Sequence, residues 1–221
     1  MPESEPSPSD VAAEALGLPW VQDFVARYVA FPAYCRTTSF ERATRDFQLE
    51  IRRIEDLCGH FSPDDFLRRV TVSSQVGLEE DERHWSAALV VEHTVLVGEA
   101  IGRTLVFLSR DQAPPEAFNR EAMRPRGGKG VAVMEDLLRL ARDYPHLVRT
   151  QLGSRTATQV HRHPFFGDLD LARWHCLSVS HLRVHRRQLH EIRRRITAEA
   201  KRGGLLSSLL FDPTTELGPQ P

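Results

Sequence analysis

HPFFGDLDLARWHCLSVSHLRVHRRQLHEIRRRI, residues 163–196, holds a loop, a helix start and a long amphipathic helix. Leu171, Trp174, Ser178, His181, His185 and Ile192 follow a three-four spacing and share one face, flanked by Leu182, Leu189 and Ile196. Arg183, Arg186, Arg187, Arg193 and Arg194 mostly fall elsewhere, so the histidines belong to the packed seam. Four residues advance an α-helix by about 400°, which brings His181 and His185 to within roughly 40° of each other, one turn apart. That spacing lets two imidazoles converge on one metal ion. Asp170 is the expected N-cap, with Leu169 before it and Trp174 four residues in, the pattern of a hydrophobic staple. This helix should span about 170–200 and close at Gly203-Gly204.

A third histidine comes from upstream. The run from Glu82 to Ser109 reads as one long helix whose inner face carries Trp85, Leu89, His93, Leu96, Val97, Ala100, Ile101, Leu105 and Leu108. His93 sits in the middle of that apolar face. Two further helices complete the set. Thr38 and Glu41 suggest a capping box for a helix over roughly 39–59, with Phe40, Ala43, Phe47, Ile51, Ile54 and Cys58 in one stripe. Gly130 to Asp143 forms another, with Val133, Met134, Leu137, Leu138 and Ala141 inward and Pro145 kinking or ending it. Ser62-Pro63-Asp64-Asp65 starts one or two turns, and Val70 to Leu78 should run extended. Trp20 to Phe31 reads as a short docked helix ending at Pro32. The expected class is all-α: a four-helix bundle over 38–202 with an extra short N-terminal helix in 20–37. Residues 1–19 are expected to be a disordered tail and 203–221 a C-terminal tail.

Composition narrows the function classes. Apolar residues make up 41% and charged residues 27%, ordinary for a globular domain of 221 residues. A net charge of -1 argues against a dedicated nucleic-acid binder. No apolar run approaches the ~20 residues that span a bilayer. The acidic, proline-rich start MPESEPSPSD is unlike a secretory signal. Three unclustered cysteines, Cys35, Cys58 and Cys176, fit reduced thiols in a cytoplasm.

Neutral imidazole suits zinc, nickel or iron, and three histidines leave an open coordination position. The competing reading is three core histidines satisfied by hydrogen bonds. Three imidazoles clustered in an apolar seam are hard to satisfy without a shared ligand, which favours the metal. Trp85-Ser86, His93, the HPFFG run at 163–167, Trp174 and the His181-x-x-x-His185 pair together resemble the DinB-like superfamily, which includes the YfiT-type metal-dependent hydrolases. The resemblance covers about residues 38–200, and its most specific part is the HPFFG-to-HxxxH block. It implies a four-helix bundle holding a divalent metal, commonly nickel or zinc, on His93, His181 and His185. It further implies a metal-dependent hydrolase or a thiol-dependent transferase acting on a small molecule. The alternative is a non-enzymatic, stress-related binding or interaction bundle that keeps the fold. Expected partners are a small-molecule substrate, with a low-molecular-weight thiol as one candidate, but no membrane and no nucleic acid; a homodimer stays open. Segment 1–37 is extra to the family pattern, and the C-terminal domain of the mycothiol-dependent isomerases has no counterpart.

Other features take plainer readings. Glu92 lies about 100° round the helix from His93, so it is expected at the surface or behind the site. Gly127-Gly128-Lys129-Gly130 lacks the Walker spacing and reads as a loop rather than a phosphate cradle. Arginines 193–195, Lys201 and Arg202 form a solvated helix end. His161 and His163 are loop residues, the latter near the site. Cys176 lies about 140° from His181 and is not expected to be a ligand. No general base stands out.

Overall fold

In a computed structural model the backbone is described for residues 29–210 and side chains for residues 29–202. Expectations for 1–28 and 211–221, including most of the Trp20–Phe31 helix, the N-terminal tail and the end of the C-terminal tail, lie outside them. Four long helices dominate: α2 (Phe40–Cys58), α4 (Ala87–Leu108), α5 (Val133–Thr150) and α6 (Leu171–Leu210), with short α1 (Phe31–Thr37) and α3 (Pro63–Leu67) between and before them. α6 packs on α2 and α4, while α5 packs on α4 and α2, so every long helix has two long neighbours. The chain is therefore all-α in class, apart from one small hairpin.

The stripes read from sequence become the core. Phe47, Ile51 and Ile54 of α2, Ile101, Leu105 and Leu108 of α4, Leu137 of α5 and Leu182, Leu189 and Ile192 of α6 are all buried. Each such side chain stabilises the fold by roughly 1.5–3 kcal/mol relative to exposure. α4 is buried on more faces than one stripe predicts, because Val90, Val91 and Val95 are covered as well. Gly98 allows the close approach of α5, since a Cβ there would stand 2.6 Å from Leu140 Cδ2.

Several boundaries differ from expectation. The α2 cap is Ser39, whose hydroxyl accepts from the Arg42 amide, and Thr38 is extended backbone outside the helix. Pro32 does not end a helix; it occupies the first turn of α1, where a missing N–H costs nothing. The Glu82–Ser109 helix is split: a 3₁₀ turn (Asp81–His84) gives way to extended Trp85, and Ser86 caps α4 through the Leu89 amide. α5 begins after a 3₁₀ turn at Gly130–Ala132 and runs on through Pro145 to Thr150. Buried Tyr144 and Val148 on either side hold that stretch against the core. Leu138, expected inward, is exposed, and Leu140 takes the inward place. The α6 backbone stays helical through Gly203 and Gly204 to Leu210, because glycine permits a helix end without forcing one. Ser62 with Pro63 does start α3, as read, and residues 68–75 form neither helix nor strand.

The connection before α6 contains a hairpin that has no counterpart in the sequence reading: β1 (His161–His163) pairs antiparallel with β2 (Gly167–Leu169). Pro164, Phe165 and Phe166 form its turn, closed by Gly167 at φ 75°, a left-handed position suited to glycine. His163 Nδ1 accepts from the Phe165 and Phe166 amides, so the imidazole braces the turn. Trp174, fully buried, donates its indole N–H to the His161 carbonyl and ties the hairpin to the helix start. Asp170 accepts from the Arg173 amide at 2.8 Å, as the cap reading requires. Asp170→Ala should therefore cost about 0.5–2 kcal/mol in a denaturant melt. A change indistinguishable from zero would mean that the hairpin, not the cap, sets the start of α6.

Candidate metal centre

α4 and α6 bring the three histidines together. His93 Nε2 lies 3.0 Å from His181 Nε2, and His185 Nε2 lies 3.1 Å from the same atom. All three ligand nitrogens fall within 4.8 Å of one another. Two donors about 2.0–2.1 Å from one ion stand roughly 2.8–3.4 Å apart for angles between right and tetrahedral. Both spacings to His181 fall in that range. His93 and His185 are buried, and His181 is half-buried where it meets a cavity.

The hydrogen bonds behind the rings fix where the protons sit. His93 Nδ1 lies 2.7 Å from the Met123 main-chain carbonyl, which can only accept. His93 therefore carries its proton on Nδ1 and presents a lone pair at Nε2. Gln188 donates its amide N–H to the Glu82 carbonyl, which leaves Gln188 Oε1 to accept from His185 Nδ1–H at 2.8 Å. His185 Nε2 is thus also a lone pair. Both lone pairs face His181 Nε2, and a single N–H there can serve only one of them at a time. A divalent cation would satisfy all three nitrogens. His93 and His185 thus follow the pattern of metal-bound imidazoles, oriented from behind by a carbonyl or amide oxygen.

Burial keeps the imidazoles neutral. Desolvation, helped by His185 nearby, pushes His93 down to about 4, and desolvation alone pushes His185 to about 4. His181 is driven well below its ordinary value, first by burial and then by its two neighbours. Neutral rings are the metal-binding form.

His175, on α6 but facing another way, shows what an ordinary core histidine looks like. It is fully buried, with Nε2 2.9 Å from Thr44 Oγ1 and Nδ1 2.9 Å from the Tyr144 hydroxyl. Both of its nitrogens have conventional partners. The triad differs in that its second nitrogens meet only each other.

The three nitrogens lie in the wall of a cavity of about 1200 Å³. Trp85, Phe118, Met123 and Phe166 are among its apolar lining. The loops at 110–129 and 153–169 contribute, and so do α1, through Phe31 and Tyr34, and the stretch 76–82. Phe31 stacks on Phe166 with centroids 4.4 Å apart, joining α1 to the hairpin turn. Ion pairs Arg120–Glu79 and Arg124–Asp81 join the two loops that border the cavity.

The remaining candidates fall into place around this site. Glu92 is half-buried and accepts from the Arg126 and Gly127 amides, which holds the loop whose Met123 carbonyl orients His93. Those amides, with Lys129 paired to Asp136, are committed within the chain rather than arranged as a phosphate cradle. His163 lines the cavity from the hairpin. Arg194 and Arg195 pair with Glu191. Cys176 is buried away from the cavity lining.

Three participants escaped the sequence reading: Gln188, Glu82 and Glu50. Gln188, three residues after His185, carried a usable signal, because it is a buried amide at i+3 on the histidine face. Glu82 is nearly buried, and its carboxyl is raised mainly by that burial. Glu50 of α2 is buried and accepts from Arg186 of α6 and Arg53 of its own helix, with Arg183 3.6 Å away. Its position carried a signal too, because it is an acidic residue on the apolar stripe, at three-four spacing with Phe47 and Ile54.

Among the described residues no helix is long and apolar enough to cross a membrane. Comparison with protein-family models, with curated proteins and with solved structures finds no match.

Proposed function

We propose that this chain is a DinB-like four-helix bundle that binds one divalent ion, nickel or zinc, through His93, His181 and His185. It would act in the cytoplasm as a metal-dependent hydrolase or thiol-dependent transferase on a small molecule, as a monomer or homodimer. One observation carries the reading: the outward hydrogen bonds of His93 and His185 leave their lone pairs converging on His181 at a cavity wall. Three nitrogen donors leave a coordination position open, whereas structural zinc sites use four protein ligands. An ion there would supply Lewis acidity to a water or a thiol.

The chain's own contribution is binding and shielding. Apolar side chains from α1, the hairpin turn and Met123 would cover part of a guest molecule, and charged groups from 79–82 and α6 line the rest of the cavity. Among the described residues no cysteine lines the cavity, so thiol chemistry here requires an external thiol. The test is metal analysis of the purified protein, followed by two assays: loss of a small thiol with an electrophile, and hydrolysis of activated esters and amides. About one ion per chain is expected, with turnover lost in His185→Ala. Bound metal without turnover in either assay would favour the non-enzymatic, stress-related binding role. An absence of bound metal would remove the metalloenzyme reading and leave the non-enzymatic bundle.

A further inference from the structure

Glu82 stands beside the triad in an arrangement that a structural carboxylate would not need. It sits in the 3₁₀ turn Asp81–His84, with the residue only 8% exposed. Its Oε2 accepts from the Glu79 amide at 2.9 Å, and its main-chain carbonyl accepts from Gln188, the residue that orients His185. Its Oε1 faces His93 Nε2 across 3.8 Å. No arginine or lysine nitrogen is paired with this carboxylate among the described residues. Oε2 has its partner in the Glu79 amide, while Oε1 has none within hydrogen-bond distance among those residues and is not sealed from the cavity that Glu82 lines, so a partner for it comes from the cavity side.

His93 cannot be that partner. Its proton is on Nδ1, held by the Met123 carbonyl, so Nε2 and Oε1 confront each other as two acceptors. The gap of 3.8 Å is too long for a hydrogen bond but admits an atom about 2.7–3.0 Å from each end. The set of ligand atoms lying within 4.8 Å of one another comprises the three histidines and stops short of Glu82. The carboxylate therefore stands one atom back from a direct ligand position.

The geometry points to Glu82 as the acceptor for the hydrogen of a protic molecule, a thiol or a water, lodged between its Oε1 and the three-histidine site. The interaction is a hydrogen bond, S–H or O–H donating to the carboxylate, and breaks no bond. It makes the site selective: a ligand with a hydrogen to give is held, and an aprotic anion meets a negative charge. This inference rests on the metal-site reading above and adds the class of ligand that the site accepts.

The test uses the full chain loaded with cobalt or nickel, whose visible absorption reports ligands at the site. Azide serves as the aprotic anion and 2-mercaptoethanol as the thiol, each titrated into wild type and Glu82→Gln. The variant should keep its affinity for the ion within about threefold, because the Glu82 side chain lies beyond hydrogen-bond reach of His93 and its main-chain carbonyl still holds Gln188. It should bind the thiol at least tenfold more weakly and azide severalfold more tightly. Glu82→Asp keeps the charge but withdraws the oxygen, so it should weaken thiol binding without a gain for azide. It also provides the reading if Glu82→Gln does not fold. An unchanged thiol-to-azide ratio in the variants would overturn the inference while leaving the metal site standing. A tenfold loss of affinity for the ion would also overturn it, because Glu82 would then be a direct ligand. Failure of wild type to take up either ion would remove both readings.

Discussion

Nickel or zinc at a hundred times its dissociation constant should stabilise the wild-type fold by about 2.7 kcal/mol, and His185→Ala should lose most of that increment. For a chain of this size the wild-type shift is roughly 5–11 °C in melting temperature. His185 is the informative position because it is 1% exposed and its lone pair is aimed by Gln188. Its removal should leave the metal-free fold standing, since the core hydrophobics of all four long helices are untouched.

The pH dependence of that increment separates the buried site from any surface histidines. Protons and metal compete for the same lone pairs. Burial holds His93 and His185 near 4, so protons gain on the metal only as pH falls toward 4. A site of ordinary surface histidines would begin to fail below about 6.5. Thermal melts with and without metal, at pH 8 and pH 5.5, should give nearly the same increment in wild type. An increment already lost at pH 5.5, or equal shifts in wild type and His185→Ala, would place the metal elsewhere.

Legibility in the sequence tracked periodicity. The i,i+4 pair on α6 and the apolar neighbours of His93 put three imidazoles on facing seams, and those seams meet. Periodicity has no purchase on the rest of the site. Glu82 reads as the first residue of the α4 helix, although its backbone is a 3₁₀ turn that ends at extended Trp85. The hairpin strands are three residues each, too short to show an alternation. Thr38 and Ser39 are adjacent hydroxyls, and only the backbone distinguishes which one caps α2. His175 and His185 both lie on buried faces of one helix, so pattern alone cannot separate a core histidine from a candidate ligand. Their hydrogen-bond partners can: Thr44 and Tyr144 for the first, Gln188 and another imidazole for the second.

Without metal, the protein should lose stability steeply as pH falls from about 6.5 toward 4. Burial depresses His93, His175 and His185 to about 4, and His181 well below its ordinary value. In the unfolded chain all four titrate near 6.5. Between those values the unfolded state binds protons that the native state refuses, so acid favours unfolding. Each such group contributes at most about 1.36 kcal/mol per pH unit, and four together up to roughly 5. A domain holds only about 5–15 kcal/mol in total, so the acid transition should fall inside this window. Glu82 opposes the trend weakly, since burial raises its carboxyl and the native state takes up that proton first. The depressed carboxyls of Asp136 and Glu191, held down by Lys129 and Arg194, release their stability only at lower pH, below the ordinary carboxylate range. A loss beginning near pH 6 therefore reports on histidine. Urea melts followed by tryptophan fluorescence, with a chelator present, should show several kcal/mol less stability at about pH 5 than at about pH 7.5. Equal stability at the two values would mean that these rings are charged or solvated in the native state, and a neutral three-nitrogen site could not then exist.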